Sequence, residues 1–256
     1  IFTLLTMSII AFAIAIGGVF WVYGKDLPSH EALSNYQPPT ISRIFSSEGR
    51  LIDEFARERR LFTASEDIPI IVKQAFISAE DKNFYLHPGY DIRGILSALI
   101  DAAKSGGKRV RGASTITQQV MKNFLLDGSR RAERKVKEII LATRIEETLS
   151  KEKILELYLN EIFLGQNSYG VTAAAQTYFN KSLDELAPHE AAFLASLPKA
   201  PSEFHPVRRK EKLFERRNYV LKEMLQNGYL NEDIYFSEKN EPLRSVQNGD
   251  FSNFRN

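Results

Sequence analysis

Three groups of residues carry side chains that chemistry would use. Glu80 and Asp81 stand side by side in AEDKNFYLHPGYD, residues 79–91. Ser114, Thr115, Thr117, Gln118 and Gln119 crowd hydrogen-bonding groups into the stretch STITQQ. Between Lys104 and Lys137 ten Lys and Arg face two acids, Asp127 and Glu133, in a chain whose formal net charge is only +2. A carboxylate beside apolar groups loses hydration, which favours its neutral form and makes it a better base once ionised. Cations interleaved with oriented donors and acceptors form an anion-binding surface.

Helical spacing sharpens the basic stretch. Arg131, Arg134, Lys135 and Glu138 fall at i, i+3, i+4 and i+7, so three cations and one carboxylate share a face, while Val136, Ile139, Ile140 and Thr143 are free to pack inward. Read structurally, Glu138 is the i+4 partner of Arg134, a pair worth about 0.2–0.5 kcal/mol. Glu80 has a competing reading as an exposed acid at a helix end, and the order of Glu80 and Asp81 does not say which one points inward. His87 lacks a second histidine at metal-ligand spacing and reads as a turn residue. Ser105-Gly106-Gly107-Lys108 matches S-x-x-K in form, but two internal glycines and the absence of K-T-G make it a loop.

The elements that position these groups follow from periodicity. Residues 1–23 contain no charge; as a helix they run about 35 Å, enough to cross a hydrocarbon core of about 30 Å. The stretch is longer than a signal-peptide core and has no small-x-small cleavage site before Lys25, so it reads as a retained transmembrane helix with Trp21 and Tyr23 at the interface. Residues 24–40 form a polar linker. Alternation around 41–45 and 51–55 predicts a short hairpin. Helical spacing predicts helices from Pro69 onward, then over 92–103, 114–124, 131–149, 151–163, 171–179, 189–197 and 210–226. Residues 227–256 read as a connector. The absence of cysteine excludes a disulfide framework, thiolate-held zinc and a thiol nucleophile.

Four blocks then fall in order. Glu80, Asp81, Phe84, His87, Gly89 and Asp91 match E-D-x-x-F-x-x-H-x-G-x-D, and residues 112–119 match G-x-S-T-I-T-Q-Q. Residues 134–138 match R-K-x-x-E, and ILELYLNEIFLG, 154–165, matches I-L-E-x-Y-L-N-x-I-x-x-G. Over residues 41–226 the chain resembles the peptidoglycan glycosyltransferase domain of family 51, found at the N-terminus of class A bifunctional penicillin-binding proteins. It departs from that pattern at Phe204-His205-Pro206, where an asparagine-proline repeat is expected.

The resemblance implies a mainly α, lysozyme-like, two-lobed domain with a short N-terminal β-hairpin, preceded by one transmembrane helix. It implies polymerisation of lipid II into β-1,4 glycan with inversion and release of undecaprenyl pyrophosphate. Position by position, Glu80 becomes the general base and Glu138 the second essential glutamate. Asp81, Ser114, Thr115, Gln118, Gln119, Lys122, Arg130, Arg134, Lys135 and Lys137 become substrate-binding residues. No tightly bound cofactor is implied; Mg2+ or Mn2+ has a place at Glu138. Implied partners are lipid II, the growing glycan strand, the bilayer and other cell-wall synthesis proteins, with no nucleic acid. The implied location is a bacterial inner membrane, single-pass, with the domain on the periplasmic or extracellular side. Two rivals stand: a lysozyme-like glycan-cleaving enzyme, which would not need this cationic density, and a membrane-anchored module binding anionic ligands, whose affinity would fall generically with salt.

Overall fold

A computed structural model describes residues 2–25, 27, 33, 42–45, 47–48, 51–55, 59–104, 106, 114–125 and 131–246. The chain divides into two compact units, one of residues 1–36 and 85–151 and one of residues 37–84 and 152–256. Both are mainly helical among the described residues.

In the first unit, α1 (Phe2–Gly24) packs along α5 (Arg131–Thr148), and the Arg144 guanidinium donates to the Gly24 carbonyl at 3.1 Å. A basic side chain on the last carbonyls of a helix satisfies groups that have no partner within the helix. Counted on the described residues, no helix is long and apolar enough to cross a membrane. α3 (Ile92–Lys104) follows the His87-Pro88-Gly89 turn. α4 (Ile116–Leu125) packs against α5, and Ile116, Val120 and Met121 are buried, as are Ile140, Leu141, Ala142 and Ile145 of α5.

In the second unit, β1 (Ser42–Phe45) pairs antiparallel with β2 (Leu51–Phe55), with Ser42 opposite Phe55. β3 (Arg59–Arg60) pairs parallel with β4 (Ser168–Tyr169). α2 (Ile70–Glu80) packs on α8 (Pro188–Leu194) and α9 (Lys210–Gln226). α6 (Lys151–Glu161) is buried at every position from Ile154 to Asn160. A helix covered on all sides must satisfy its polar members internally. Glu156 accepts from the Ser65 backbone N–H at 2.8 Å, and Asn160 exchanges two hydrogen bonds with the Thr63 backbone at 2.8 and 2.9 Å. The segment leading into α2 is thereby tied to α6.

Beyond α7 (Val171–Phe179), Pro188 opens α8 and Glu190 reaches back to the Ala187 N–H at 2.9 Å, so this helix starts one residue before the expected His189 and ends at Leu194 rather than 197. Periodicity did not announce α10 (Glu232–Asn240), which packs on α9 and is capped by Asn231, whose side chain accepts from the Ile234 N–H at 2.8 Å.

Candidate active site

Glu80 is the last residue of α2, with 13% of its side chain exposed, and Asp81 is the C-cap, buried, its N–H donating to the Ile77 carbonyl at 2.9 Å. Both carboxylates are therefore drawn in. Arg216 of α9 approaches Glu80, Nη2 to Oε1, at 3.9 Å, and its Nη2 also donates to the Ala79 carbonyl at 3.4 Å. Tyr158 of α6 is fully buried; burial first, and then the charges of Glu80 and Asp81, hold its phenol well above its ordinary value. Neither residue was singled out from the sequence, although Tyr158 lies within the fourth matched block.

The second cluster lies where α4 meets α5. Lys135 Nζ donates to Ser114 Oγ at 2.8 Å, Gln118 Oε1 at 2.7 Å and Glu138 Oε2 at 3.1 Å. Arg134 lies 3.4 Å from Glu138, Nε to Oε1, an ion pair at i+4. Glu138 is thus held by two cations and is itself 5% exposed. The expected separation into a charged face and an apolar face is redrawn. Glu138 turns inward together with Leu141, Ala142 and Ile145, while Val136, Ile139 and Thr143 are only half-buried, because the carboxylate has cations of its own to neutralise it.

The polar stretch divides its labour. Ser114 is exposed and reaches Lys135. Thr115 is buried and caps α4, accepting from the Gln118 N–H at 3.2 Å while donating to the Gly89 carbonyl at 2.7 Å. Such a cap satisfies one of the orphan donors of the first turn. Gln118 adds a bond to the same carbonyl at 3.4 Å. Thr117 turns the other way and donates to Glu146 at 2.6 Å, and Lys151 joins Glu146 and the His87 carbonyl at 2.7 Å each. Buried His87 accepts from the Gly89 N–H through Nδ1 at 3.2 Å, a turn role as its sequence context predicts.

Other expected site residues make different contacts or lie outside the described residues. Gln119 is half-buried on α4 and Lys122 is exposed in its last turn. Lys137 pairs with Glu133 at 2.7 Å rather than with Glu138. Arg130 lies outside the described residues, as do Lys108, Arg109 and Arg111. A divalent metal finds a poor donor set at Glu138: its oxygens meet two cations, and no three His, Asp or Glu gather into a metal-holding group among the described residues.

Electrostatically, the two sites are opposite in character. A carboxylate pair closes α2, whereas donors and cations dominate the α4–α5 seam, where the buried Nε of Arg134 makes no hydrogen bond among the described residues. The first suits proton abstraction and the second suits an anion.

Residues 48–225 match the family model described as Transglycosylase. Among similar proteins, Penicillin-binding protein 1A of Rickettsia felis is 47% identical over 227 residues, covering 88% of this chain and 29% of that protein. Penicillin-binding protein 1A of Neisseria flavescens is 47% identical over 229 residues, with the same shares. A solved structure of Penicillin-Binding Protein 1A from Haemophilus influenzae is 31% identical, aligns with a TM-score of 0.49, and covers 82% of this chain and 22% of that one. The chain thus spans less than a third of the length of the relatives it matches.

Proposed function

The chain belongs to the transglycosylase family, and from that premise we propose that it is a membrane-anchored peptidoglycan glycosyltransferase polymerising lipid II. The observation that carries the reading is the α4–α5 cluster, in which Arg134, Lys135, Ser114 and Gln118 gather donors and positive charge. A departing pyrophosphate is a multiply charged anion, so catalysis needs such groups where negative charge develops.

In the proposed reaction the 4-hydroxyl of one sugar attacks the anomeric carbon of another. The new C–O bond forms as the bond to pyrophosphate breaks, with inversion, and Glu80 receives the hydroxyl proton. Undecaprenyl pyrophosphate leaves already ionised, so a protonated carboxylic acid of the kind inverting hydrolases use is not needed. Asp81 supports Glu80. Lys122 and Arg134 meet the anion, Lys135 holds Ser114, Gln118 and Glu138 in register with it, and Gln119, Arg130 and Lys137 complete the polar lining. Any Mg2+ or Mn2+ would neutralise the same anion; no step here depends on one.

A lipid substrate suits an anchored enzyme. Residues 1–23 would span the bilayer with the domain on the periplasmic or extracellular face, where other cell-wall synthesis proteins act. The first unit also exposes Tyr85, Leu86, Ile92, Leu96 and Ile100, apolar side chains suited to a lipid interface. The neighbouring Phe84 is fully buried.

The test is polymerisation of labelled lipid II by the detergent-solubilised protein beside folded Glu80→Gln. Long glycan from the parent and none from the variant is the expected result. Turnover in both moves the base elsewhere. In the same assay Arg134→Ala weakens apparent lipid II affinity by 10-fold or more, the order of a lost charge-assisted contact of roughly 1.5–3 kcal/mol; parental affinity refutes its role.

A further inference from the structure

The buried side of Glu80 holds two groups that the mechanism above does not use. Arg216 approaches its carboxylate at 3.9 Å, while the Arg216 Nε and the Tyr158 hydroxyl are both buried and make no hydrogen bond among the described residues. Unpartnered buried donors are costly and each calls for a reason, and for Arg216 the neighbouring carboxylate supplies one.

Electrostatics says what they act on. Three features of the fold oppose a charge on Glu80. The residue is largely removed from water, it adjoins the Asp81 carboxylate, and it ends α2, where the helix dipole is negative. Against these stands the Arg216 cation, anchored by its bond to the Ala79 carbonyl and by the Tyr219 ring, 4.8 Å from its guanidinium carbon. The far end of α9 is tied to the same helix, with Asn227 donating to Ser78 at 3.0 Å. Tyr158 keeps its proton, since burial and the carboxylates disfavour the phenolate, so it remains a donor. Its ring is fixed edge-on to Phe76, centroids 6.2 Å apart.

We propose that Arg216 is a positioning residue for the base: a charged donor on α9 that keeps Glu80 ionised and oriented for proton abstraction. The inference rests on Glu80 being the base. Asp81, Tyr158 and Arg216 are among the charged or titratable groups at that end of α2.

The experiment is the pH–rate profile of lipid II polymerisation by the full chain, for the parent and for Arg216→Met, Arg216→Lys, Tyr158→Phe and Glu80→Gln. Arg216→Met is expected to move the acidic limb to higher pH by about one unit or more, as removal of an adjacent cation does. Arg216→Lys restores the limb, and Tyr158→Phe, which removes no hydrogen bond from Glu80, leaves it in place. A purely structural role lowers the rate at every pH and leaves the limb in place, so a parental limb in Arg216→Met overturns the proposal. Should that variant fail to fold, Arg216→Gln takes its place: a limb moved to higher pH supports the proposal and a parental limb overturns it. An active Glu80→Gln is a separate result: it removes the base assignment itself.

Discussion

Gly89 is the most exacting position in the donor cluster. Its φ is +92°, and a Cβ built there meets the Ala142 carbonyl oxygen at 2.6 Å and carbonyl carbon at 2.7 Å. These are backbone atoms in the middle of α5, which cannot swing aside like the end of a side chain. Gly89→Ala therefore adds two costs, about 1–3 kcal/mol for the backbone conformation and about 1–3 kcal/mol for overpacking, together roughly 2–6 kcal/mol. Gly106→Ala is the control. Its φ is +59° with nothing within 4 Å of the added Cβ, so it carries the conformational cost alone, about 1–2 kcal/mol. Urea unfolding of both variants separates the two terms; at an m of about 2 kcal/mol/M, Gly89→Ala loses at least about 1 M of midpoint and Gly106→Ala less. The Gly89 carbonyl also accepts from Thr115 and Gln118, so any displacement of the turn disturbs the cluster, and polymerisation falls even in the folded fraction. Equal destabilisation of the two variants within about 0.5 kcal/mol would show that the approach to α5 contributes nothing.

Two further outcomes are expected. Thr117→Val removes the 2.6 Å bond to Glu146 and costs about 1–2 kcal/mol of stability by urea denaturation, while apparent lipid II affinity stays at the parental value; a weakened affinity would add Thr117 to the binding surface. Stability falls as the pH rises past about 10, because Tyr158 and Tyr178 both have raised phenol values in the fold, chiefly through burial. The unfolded chain releases those protons near their ordinary value of about 10 while the folded chain retains them, so folding loses ground from there upward and is unaffected below. Melting curves between pH 8 and 11 check this, and a flat profile refutes it.

Local periodicity and local chemistry are legible in the sequence. The 3.6-residue repeat placed α2 to α7 and α9 within a residue or two at most ends, since burying an apolar stripe is a requirement each helix meets over its own short span. The spacing of Arg134, Lys135 and Glu138 likewise assembled one face of the donor cluster, because i+3 and i+4 neighbours meet whatever the rest of the chain does. STITQQ declared a concentration of hydrogen-bonding groups. It did not declare their partners: Thr117 belongs to Glu146, and Thr115 and Gln118 belong to the Gly89 carbonyl, some thirty positions away or fewer.

Tertiary structure alone decided the surroundings of the carboxylate pair. Arg216 reaches the end of α2 across 137 positions of sequence, counted to Ala79, and Tyr158 comes from a helix whose seven consecutive buried residues give no sign of which one feels the charge of Glu80. The α10 helix escaped notice for a related reason. Its three apolar side chains, Ile234, Tyr235 and Phe236, are consecutive rather than spaced at a helical repeat and none of its residues is buried, so its packing on α9 rests on an end cap and on contacts that only the folded chain supplies. Propensity and periodicity act over a turn or two of backbone. The hydration and charge balance of a buried carboxylate depend on whatever the folded chain packs around it, and no spacing rule reaches that far.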